Sequence, residues 1–233
     1  MKKLSIIIPV YNEKKTILEL LRLVEAVDLP LAKEVIIIDD CSNDGTTEIL
    51  RNLDAAKYRI IFKNKNEGKG AAIKGGFLKA SGDIIIIQDA DLEYDPQDYH
   101  KMLKPILTGR ADVVYGSRLL SGEPKRVLYV WHYLANFFLT AFSNFLTGLT
   151  LTDMETCYKA FRREVVDSFK QKLKSKRFGV EPELTARMAR GHWRVYEVGI
   201  AYYGRSYEEG KKINWRDGLA AIWHIIKFNL FDR

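Results

Sequence analysis

The chain has 233 residues, 47% of them hydrophobic, which suits one large domain with a real core. Its two cysteines, Cys41 and Cys157, fit no metal or redox spacing and read as reduced, intracellular and structural. The net charge of +7 is uneven: residues 1–100 carry 14 Lys and Arg against 17 Asp and Glu, and residues 101–233 carry 23 against 13, so the first part can host a cation and the second attracts phosphate, nucleic acid or an anionic membrane.

The amino terminus, MKKLSIIIPVYNEKK, sets lysines before an apolar run as a secretory signal does. That run is short, Pro9 breaks it, and charge follows with no small-residue cleavage site, so the expectation is mature protein. LSIIIPV (4–10) predicts a strand and EKKTILELLRLVEAV (13–27) a helix. EVIIIDD (34–40) predicts a second strand, TTEILRNL (46–53) a helix, and YRIIFKN (58–64) a third strand. KGAAIKGGFLKA (69–80) predicts a helix and DIIIIQD (83–89) a fourth strand. Isoleucine runs without alternation suit strands covered on both faces, which predicts an α/β fold around a mostly parallel central sheet flanked by helices. Ligands of such sheets bind beyond the carboxyl ends of the strands. Three of those ends are polar here: Tyr11, Asn12 and Glu13; Asp39 and Asp40; Asp89 and Asp91.

Asp89-x-Asp91, followed by Glu93, places like charges where they raise one another's pKa. A hard divalent cation relieves that repulsion and can also hold a diphosphate, because Mg²⁺ takes a few carboxylates with phosphate oxygens and water. The plainer alternative is a solvated acidic turn closed by Asp95-Pro96. NEGKGAA (66–72) joins glycines, a lysine and a helix start, an arrangement that favours anions, although the Walker spacing is missing; a simple helix entry is the alternative. YYGRSYEEGKK (202–212) reads as a mobile loop closing cations over phosphates, or as an exposed loop with ordinary charge. KQKLKSKR (170–177) reads as a solvated face or a contact with anionic headgroups, and no interleaved aromatics suggest nucleic acid. His100, His192 and His224 show no metal-ligand spacing and read as structural or surface residues.

After ADVVYGSR (111–118) the character changes. From Val127 to Thr152 no side chain carries a full charge, yet His132, Asn136, Thr140, Ser143, Asn144 and Thr147 form one polar stripe at helical spacing. A span facing lipid all round would not keep such a stripe, so the segment predicts a helix packed on the domain or lying in a membrane interface. WRDGLAAIWHIIKFNLFDR predicts a closing amphipathic helix with Trp215, Leu219, Ile222, Trp223, Ile226 and Leu230 on one face, suited to a bilayer interface or to packing.

Taken in order, IIIPVYNE, IIIDDCSNDGT, NEGKGAA and the D-x-D after IIIIQ resemble the family-2 glycosyltransferases, which have the GT-A nucleotide-diphospho-sugar transferase fold. GSR (116–118), TDMETCYKAFRREV (152–166), FGVEPELTARMAR (178–190) and YGRSYEEGKK extend the likeness toward the polyprenyl-phosphate group, the dolichyl-phosphate mannose synthase type above all. The resemblance implies a single catalytic domain: a nucleotide-sugar half at 1–110, an acceptor half at 111–212 and the amphipathic helix at 213–233. Pro9, Tyr11 and Glu13 would hold the donor's base and ribose, with Asp40 at the nucleoside and Lys69 near the nucleotide. Asp89 and Asp91 would bind Mg²⁺ or Mn²⁺ on the diphosphate. Arg118 would meet the acceptor phosphate, while Arg205 and Lys211 would clamp phosphates; Asp91 and these three cations form the expected catalytic set. Two positions depart from the pattern. Glu93 stands where an amide or hydroxyl residue is common in the third metal position, and the acceptor-phosphate residues of the following helix have no clean counterpart, Arg126 and His132 being the nearby candidates. Several members of the group also carry carboxyl-terminal spans; this chain is expected to rely on interfacial helices or a membrane-anchoring subunit to meet its lipid.

The implied reaction is inverting transfer of a hexose, with mannose from GDP-mannose leading and UDP-glucose as the rival donor, to a polyprenyl or dolichyl phosphate. The expected location is cytoplasmic, peripheral on the cytoplasmic face of a membrane. A phosphate acceptor is largely dianionic at neutral pH and needs no protein base, so Asp153 and Glu155 are expected to orient Arg or Lys side chains. The Q-x-x-R-W signature of processive synthases is absent. Transfer to a sugar hydroxyl remains an alternative. A sugar-nucleotidyltransferase would need G-x-G-T-R where PVYNE stands, and a receiver-type signalling module would need about half this length.

Overall fold

The computed structural model describes residues 2–120, 122, 124–127, 129–205 and 215–232. Strand β1 (Lys3–Val10) lies between β2 (Ala32–Asp39) and β4 (Ile84–Ile87), with β3 (Tyr58–Phe62) outside β2, all parallel. Ile6 to Ile8, Ile36 to Ile38 and Ile84 to Ile87 are all 2% exposed or less. Successive strand residues point to opposite faces, so their joint burial means that both faces are covered. Each such side chain contributes about 1.5–3 kcal/mol by leaving water.

The sheet continues from β4 through β6 (Lys159–Arg162), β5 (Val113–Ser117) and β7 (Val195–Gly199), giving the order β3-β2-β1-β4-β6-β5-β7. Here β6 runs antiparallel to both its neighbours, and β5 and β7 are parallel. Strands β2 and β3 build outward on one side of β1 and β4 on the other, so a topological switch point falls between β1 and β4, where a ligand crevice is expected.

Helices α1 (Ile17–Ala26), α2 (Thr46–Arg51), α3 (Lys69–Lys79) and α4 (Tyr99–Leu107) fall where apolar periodicity placed the first three, and α6 (Arg163–Phe169) follows β6. Helix α1 starts four residues later than predicted because the Glu13 carbonyl accepts the Thr16 and Ile17 N–H groups, turning residues 13–16 before the helix begins. Helix α5 (Val130–Thr147) packs against α7 (Val180–Arg190) and α8 (Trp215–Ile226), which continues as a π-helical turn over Lys227–Phe231. The polar stripe of α5 faces inward: Ser143 is buried, the Thr140 hydroxyl accepts the Met154 N–H, and Asn144 bonds both the N–H and the C=O of Leu151. Leu139 is buried and Phe142 and Leu146 pack on the core, whereas Trp131, Leu134, Phe137, Phe138 and Phe145 are exposed. In α8 the packing face is Ala221, Ile225 and Phe228, whereas Leu219, Trp223 and Leu230 of the predicted stripe remain about half exposed. Among the described residues no helix is long and apolar enough to cross a membrane.

Strands β5 and β7 deliver the segments that follow them to the site, and Asp112 holds the two together. Its carboxylate accepts the Arg194 guanidinium at 2.6 and 2.9 Å and that residue's N–H at 3.0 Å, with Arg162 at 3.3 Å. The Arg194 hydrogen bonds outweigh burial and lower the Asp112 pKa to about 2. A carboxyl held below its unfolded value stabilises the fold above the unfolded pKa, and that stability is lost as pH falls toward the folded one. Asp112→Asn is therefore expected to cost about 1–2 kcal/mol at pH 7, discounted because Arg194 is half exposed, with the difference from wild type shrinking between pH 4 and pH 2. Urea unfolding of both proteins across that range checks it; a pH-independent difference would contradict the ion-pair account.

Candidate active site at the carboxyl ends of β1, β2 and β4

Hydrogen bonding in β1 explains why Pro9 is tolerated in a central strand. The Ile7 carbonyl accepts the Gln88 N–H and the Val10 carbonyl accepts the Asp40 N–H, so odd residues of β1 pair toward β4 and even ones toward β2. Strand β4 ends at Ile87, beside Ile7, so Pro9 points its missing donor past the end of the ladder. The crevice opens there. The loops around it carry strained backbone: Asn12, Cys41 and Leu92, one after each of β1, β2 and β4, have φ of 54°, 64° and 63°. Left-handed non-glycine residues cost on the order of 1–3 kcal/mol and persist where surrounding contacts enforce them.

Those contacts are visible. The Asp39 carboxylate accepts the Ser42 N–H and hydroxyl and the Thr47 hydroxyl, and the Ser42 hydroxyl in turn accepts the Asn12 N–H. Asp40, 2% exposed, accepts the Lys63 ammonium at 2.6 Å and the N–H groups of Glu67 and Gly68. Its carboxylate thus anchors the loop after β3. Tyr11 is 37% exposed at the crevice edge.

The acidic turn after β4 does not present three parallel carboxylates. The left-handed Leu92 turns the chain between Asp91 and Glu93. Asp89 takes the Lys69 ammonium at 3.0 Å on each oxygen, and Lys69 also lies 3.3 Å from Glu181 at the start of α7. Burial works against the Lys69 charge, yet its acidic surroundings, Asp89 foremost, hold its pKa well above the usual lysine value. Asp91 faces Arg205 at 3.0 Å, and Glu93 accepts the Arg205 N–H at 3.0 Å and the Tyr202 hydroxyl at 3.0 Å. Arg205 also reaches Glu13 at 3.5 Å, so one guanidinium joins the ends of β1 and β4. Burial, then Asp89 and Glu93, outweigh Arg205 and push the Asp91 carboxyl up to about 7.

On the far side of Tyr202 stands Arg118, its guanidinium 5.3 Å from that ring's centre. Asp153, fully buried, accepts Arg118 at 2.6 and 2.7 Å and also Asn136 of α5 at 3.1 Å. Burial opposes the Asp153 charge, but Arg118 holds its pKa below the usual carboxylate value. Asp153 therefore orients an arginine, as its sequence context suggested. Glu155 does not: one of its buried oxygens has no hydrogen-bond partner, and burial, then Glu181, push its pKa up to about 8. The neighbouring Lys159, fully buried, spends its ammonium on the carbonyls of Met154 and Thr156. Arg126 lies against the segment that follows β7, donating from its side chain to the Gly204 carbonyl at 2.7 Å and from its N–H to the Tyr202 carbonyl. His132 sits half-buried beside Tyr129. Lys211 lies outside the described residues.

The anion-binding reading of NEGKGAA is replaced by a packing one. A Cβ at Gly70 would stand 2.4 Å from the Ser175 carbonyl oxygen, and one at Gly68 2.5 Å from that of Lys176. The Lys176 carbonyl accepts the Ala71 N–H, so the backbone of the basic run, and no anion, caps α3. That run is itself held by Glu183, which accepts the Lys174 and Ser175 N–H groups. Glu181 and Tyr202 were not singled out from the sequence, because only tertiary placement brings them to Lys69 and Glu93.

Among the described residues no three Asp, Glu, His or Cys side chains gather into a metal cluster of their own. Asp89 and Asp91 nevertheless fit a hard cation: they offer carboxylate oxygens two residues apart, and burial together with the neighbouring Asp89 and Glu93 charges raises the Asp91 pKa, a cost that a bound cation would relieve. Mg²⁺ or Mn²⁺ takes its other ligands from phosphate and water.

Comparison with known proteins agrees with this geometry. The chain is 29% identical over 241 residues to the undecaprenyl-phosphate mannosyltransferase of Micrococcus luteus, covering 96% of this chain and 97% of that protein. It is 31% identical over 215 residues to an undecaprenyl-phosphate 4-deoxy-4-formamido-L-arabinose transferase of Aeromonas hydrophila, covering 90% of this chain but only 63% of that longer protein. The crystal structure of Mycobacterium tuberculosis glucosyl-3-phosphoglycerate synthase with Mn²⁺, UDP and glucosyl-3-phosphoglycerate superposes with a TM-score of 0.73 at 20% identity, covering 98% of this chain and 80% of that one. This places the fold as GT-A. Residues 5–169 match the model of Glycosyl transferase family 2, and the chain belongs to that family.

Proposed function

We propose that this protein transfers a hexose, with mannose from GDP-mannose as the leading donor, to the phosphate of a polyprenyl lipid at a membrane surface. One observation carries the reading: an unbroken series of contacts runs from the acid pair to the aromatic helix, Asp91 to Arg205, Glu93, Tyr202, Arg118, Asp153 and finally Asn136 of α5. The names of the bacterial relatives support the same acceptor class.

In this reading Pro9, Tyr11, Glu13 and Asp40 line or anchor the donor's nucleoside site. Asp89 and Asp91 hold Mg²⁺ or Mn²⁺, which supplies charge neutralisation at the departing diphosphate. Arg118, held rigid by Asp153, binds and aligns the acceptor phosphate. Arg205, with Lys211, answers the phosphate charge that builds as the bond breaks. The acceptor phosphate has a second pKa near ~6 and is already nucleophilic, so no carboxylate need act as base. Glu93 serves as the seat of Arg205 and Tyr202, not as a metal ligand. Outward on α5, Trp131 is 77% and Phe145 82% exposed, and on α8 Trp223 is 56% exposed. Such an aromatic surface suits the headgroup level of the cytoplasmic leaflet.

Four measurements test this. Purified protein with Mg²⁺ or Mn²⁺ and a panel of labelled nucleotide sugars is expected to carry label into a polyprenyl phosphate; label appearing on a sugar hydroxyl acceptor instead, and lost in Asp153→Asn, would favour the rival reading. Asp91→Ala is expected to lower kcat by about a hundredfold or more without changing the melting temperature. Glu93→Gln is expected to lower it roughly ten- to a hundredfold with the half-saturating Mg²⁺ concentration unmoved; a large rise in that concentration would make Glu93 a ligand. Finally, the protein is expected to sediment with vesicles, and Trp131→Ser with Trp223→Ser to weaken this about tenfold or more. Equal sedimentation of the variant would move the membrane contact elsewhere.

A further inference from the structure

A cavity of about 420 Å³ opens between the turn after β3, the basic run and α8, lined by Lys65, Asn66, Glu67, Lys176, Arg177 and His224. None of the residues assigned above to donor, metal or acceptor lines it. The backbone that carries its cations is fixed. Asp40 accepts the Glu67 and Gly68 N–H groups, the Lys176 carbonyl accepts the Ala71 N–H, and Glu183 accepts those of Lys174 and Ser175. On the α8 side the His224 ring packs on Gly179, where a Cβ would come within 2.5 Å of it, and stacks on Phe228 with ring centres 5.7 Å apart.

Charge in the cavity is one-sided. Lys63, Lys65 and Lys176 lie 3.2, 3.9 and 3.8 Å from the single lining acid, Glu67, and Lys63 also pairs with Asp40 at 2.6 Å. Arg177 is exposed and makes no ion pair among the described residues. Four cations thus share two carboxylates, which leaves a surplus of two positive charges around a concave space. The Lys65 and Lys176 side chains stay 77% and 70% exposed, so both ammonium groups can turn toward an anion.

The α8 wall indicates which anion. Trp223, beside His224, is 56% exposed, and Leu219, one turn earlier, is 58% exposed. At 3.6 residues per turn Lys227 falls between His224 and Trp223 on the helix surface. An apolar band, then a cation, then a cationic cavity is the order met at a bilayer surface, where indole rings and lipid phosphates lie at similar depth. We propose that this cavity binds the headgroup phosphate of an anionic phospholipid and so sets how the protein sits on its membrane. The inference rests on the membrane-surface placement proposed above and adds to it a lipid site separate from the acceptor's.

The test measures sedimentation of the full chain with vesicles of phosphatidylcholine alone and of phosphatidylcholine with phosphatidylglycerol. The variant combines Lys65→Gln, Lys176→Gln and Arg177→Gln, and a control combines Lys57→Gln, Lys79→Gln and Lys104→Gln, which removes equal charge elsewhere. The cavity variant is expected to bind phosphatidylglycerol vesicles about tenfold or more weakly than wild type and phosphatidylcholine vesicles equally. Its melting temperature is expected to be unchanged, because the three side chains are exposed. An equal loss in the control would assign the attraction to diffuse charge and overturn the proposal, as would no loss in the cavity variant. In a second measurement the His224 ring signals are followed by NMR. They are expected to shift with a short-chain phosphatidylglycerol and far less with inorganic phosphate at equal concentration. Equal saturation by inorganic phosphate would overturn the lipid assignment. Neither measurement needs sugar transfer: a cavity that binds lipid in a protein without transferase activity would keep this inference and reject the reading above.

Discussion

Arg205 is the interaction on which the site's shape depends. Its guanidinium sits among Glu13, Asp91 and Glu93, carboxylates from two different strand ends, and its backbone N–H is fixed by Glu93. Without that cation, three partly buried acids would face one another across a crevice where water screens poorly, at a cost of several kcal/mol. With it, the segment after β7 is drawn over the ends of β1 and β4.

The arrangement is balanced against a ligand. Lys69 and Arg205 pair with Asp89 and Asp91, and burial together with Asp89 and Glu93 still raises the Asp91 pKa. A divalent cation arriving with a diphosphate would bring both signs of charge at once, letting the arginine exchange carboxylates for phosphate oxygens. Arg118 is different. Its partner Asp153 is wholly buried and bidentate, and the ring of Tyr202 backs it, so its guanidinium is held in one place. The left-handed residues Asn12, Cys41 and Leu92 show where the fold accepts backbone strain to hold the loops in these positions.

Much of this was legible in the sequence. The isoleucine runs located β1, β2 and β4, because a strand buried on both faces has no room for polar residues. Their polar ends located the crevice, because parallel strands present their carboxyl ends together. What could not be read depends on partners distant in sequence. Gly68 and Gly70 looked like an anion cradle until the backbone of 175–177 was seen against them. Glu93 looked like a third member of an acid row, but the left-handed Leu92 turns it toward Tyr202 and Arg205. The closing helix was read as a stripe for a bilayer interface or for packing, and the fold divides it: Ile222 packs on the core while Leu219, Trp223 and Leu230 stay about half exposed. Periodicity reports that a face exists, and only the fold reports what it meets.

The central claim is that the acid pair holds a divalent cation only together with a nucleoside diphosphate. Electron paramagnetic resonance of Mn²⁺ tests it directly, by titrating the metal into protein with and without GDP or UDP and repeating this with Asp89→Asn and Asp91→Asn. The account predicts tight Mn²⁺ binding that requires the nucleotide and disappears in both variants. Nucleotide binding of equal strength in the presence of a chelator, or Mn²⁺ binding unchanged in both variants, would contradict it.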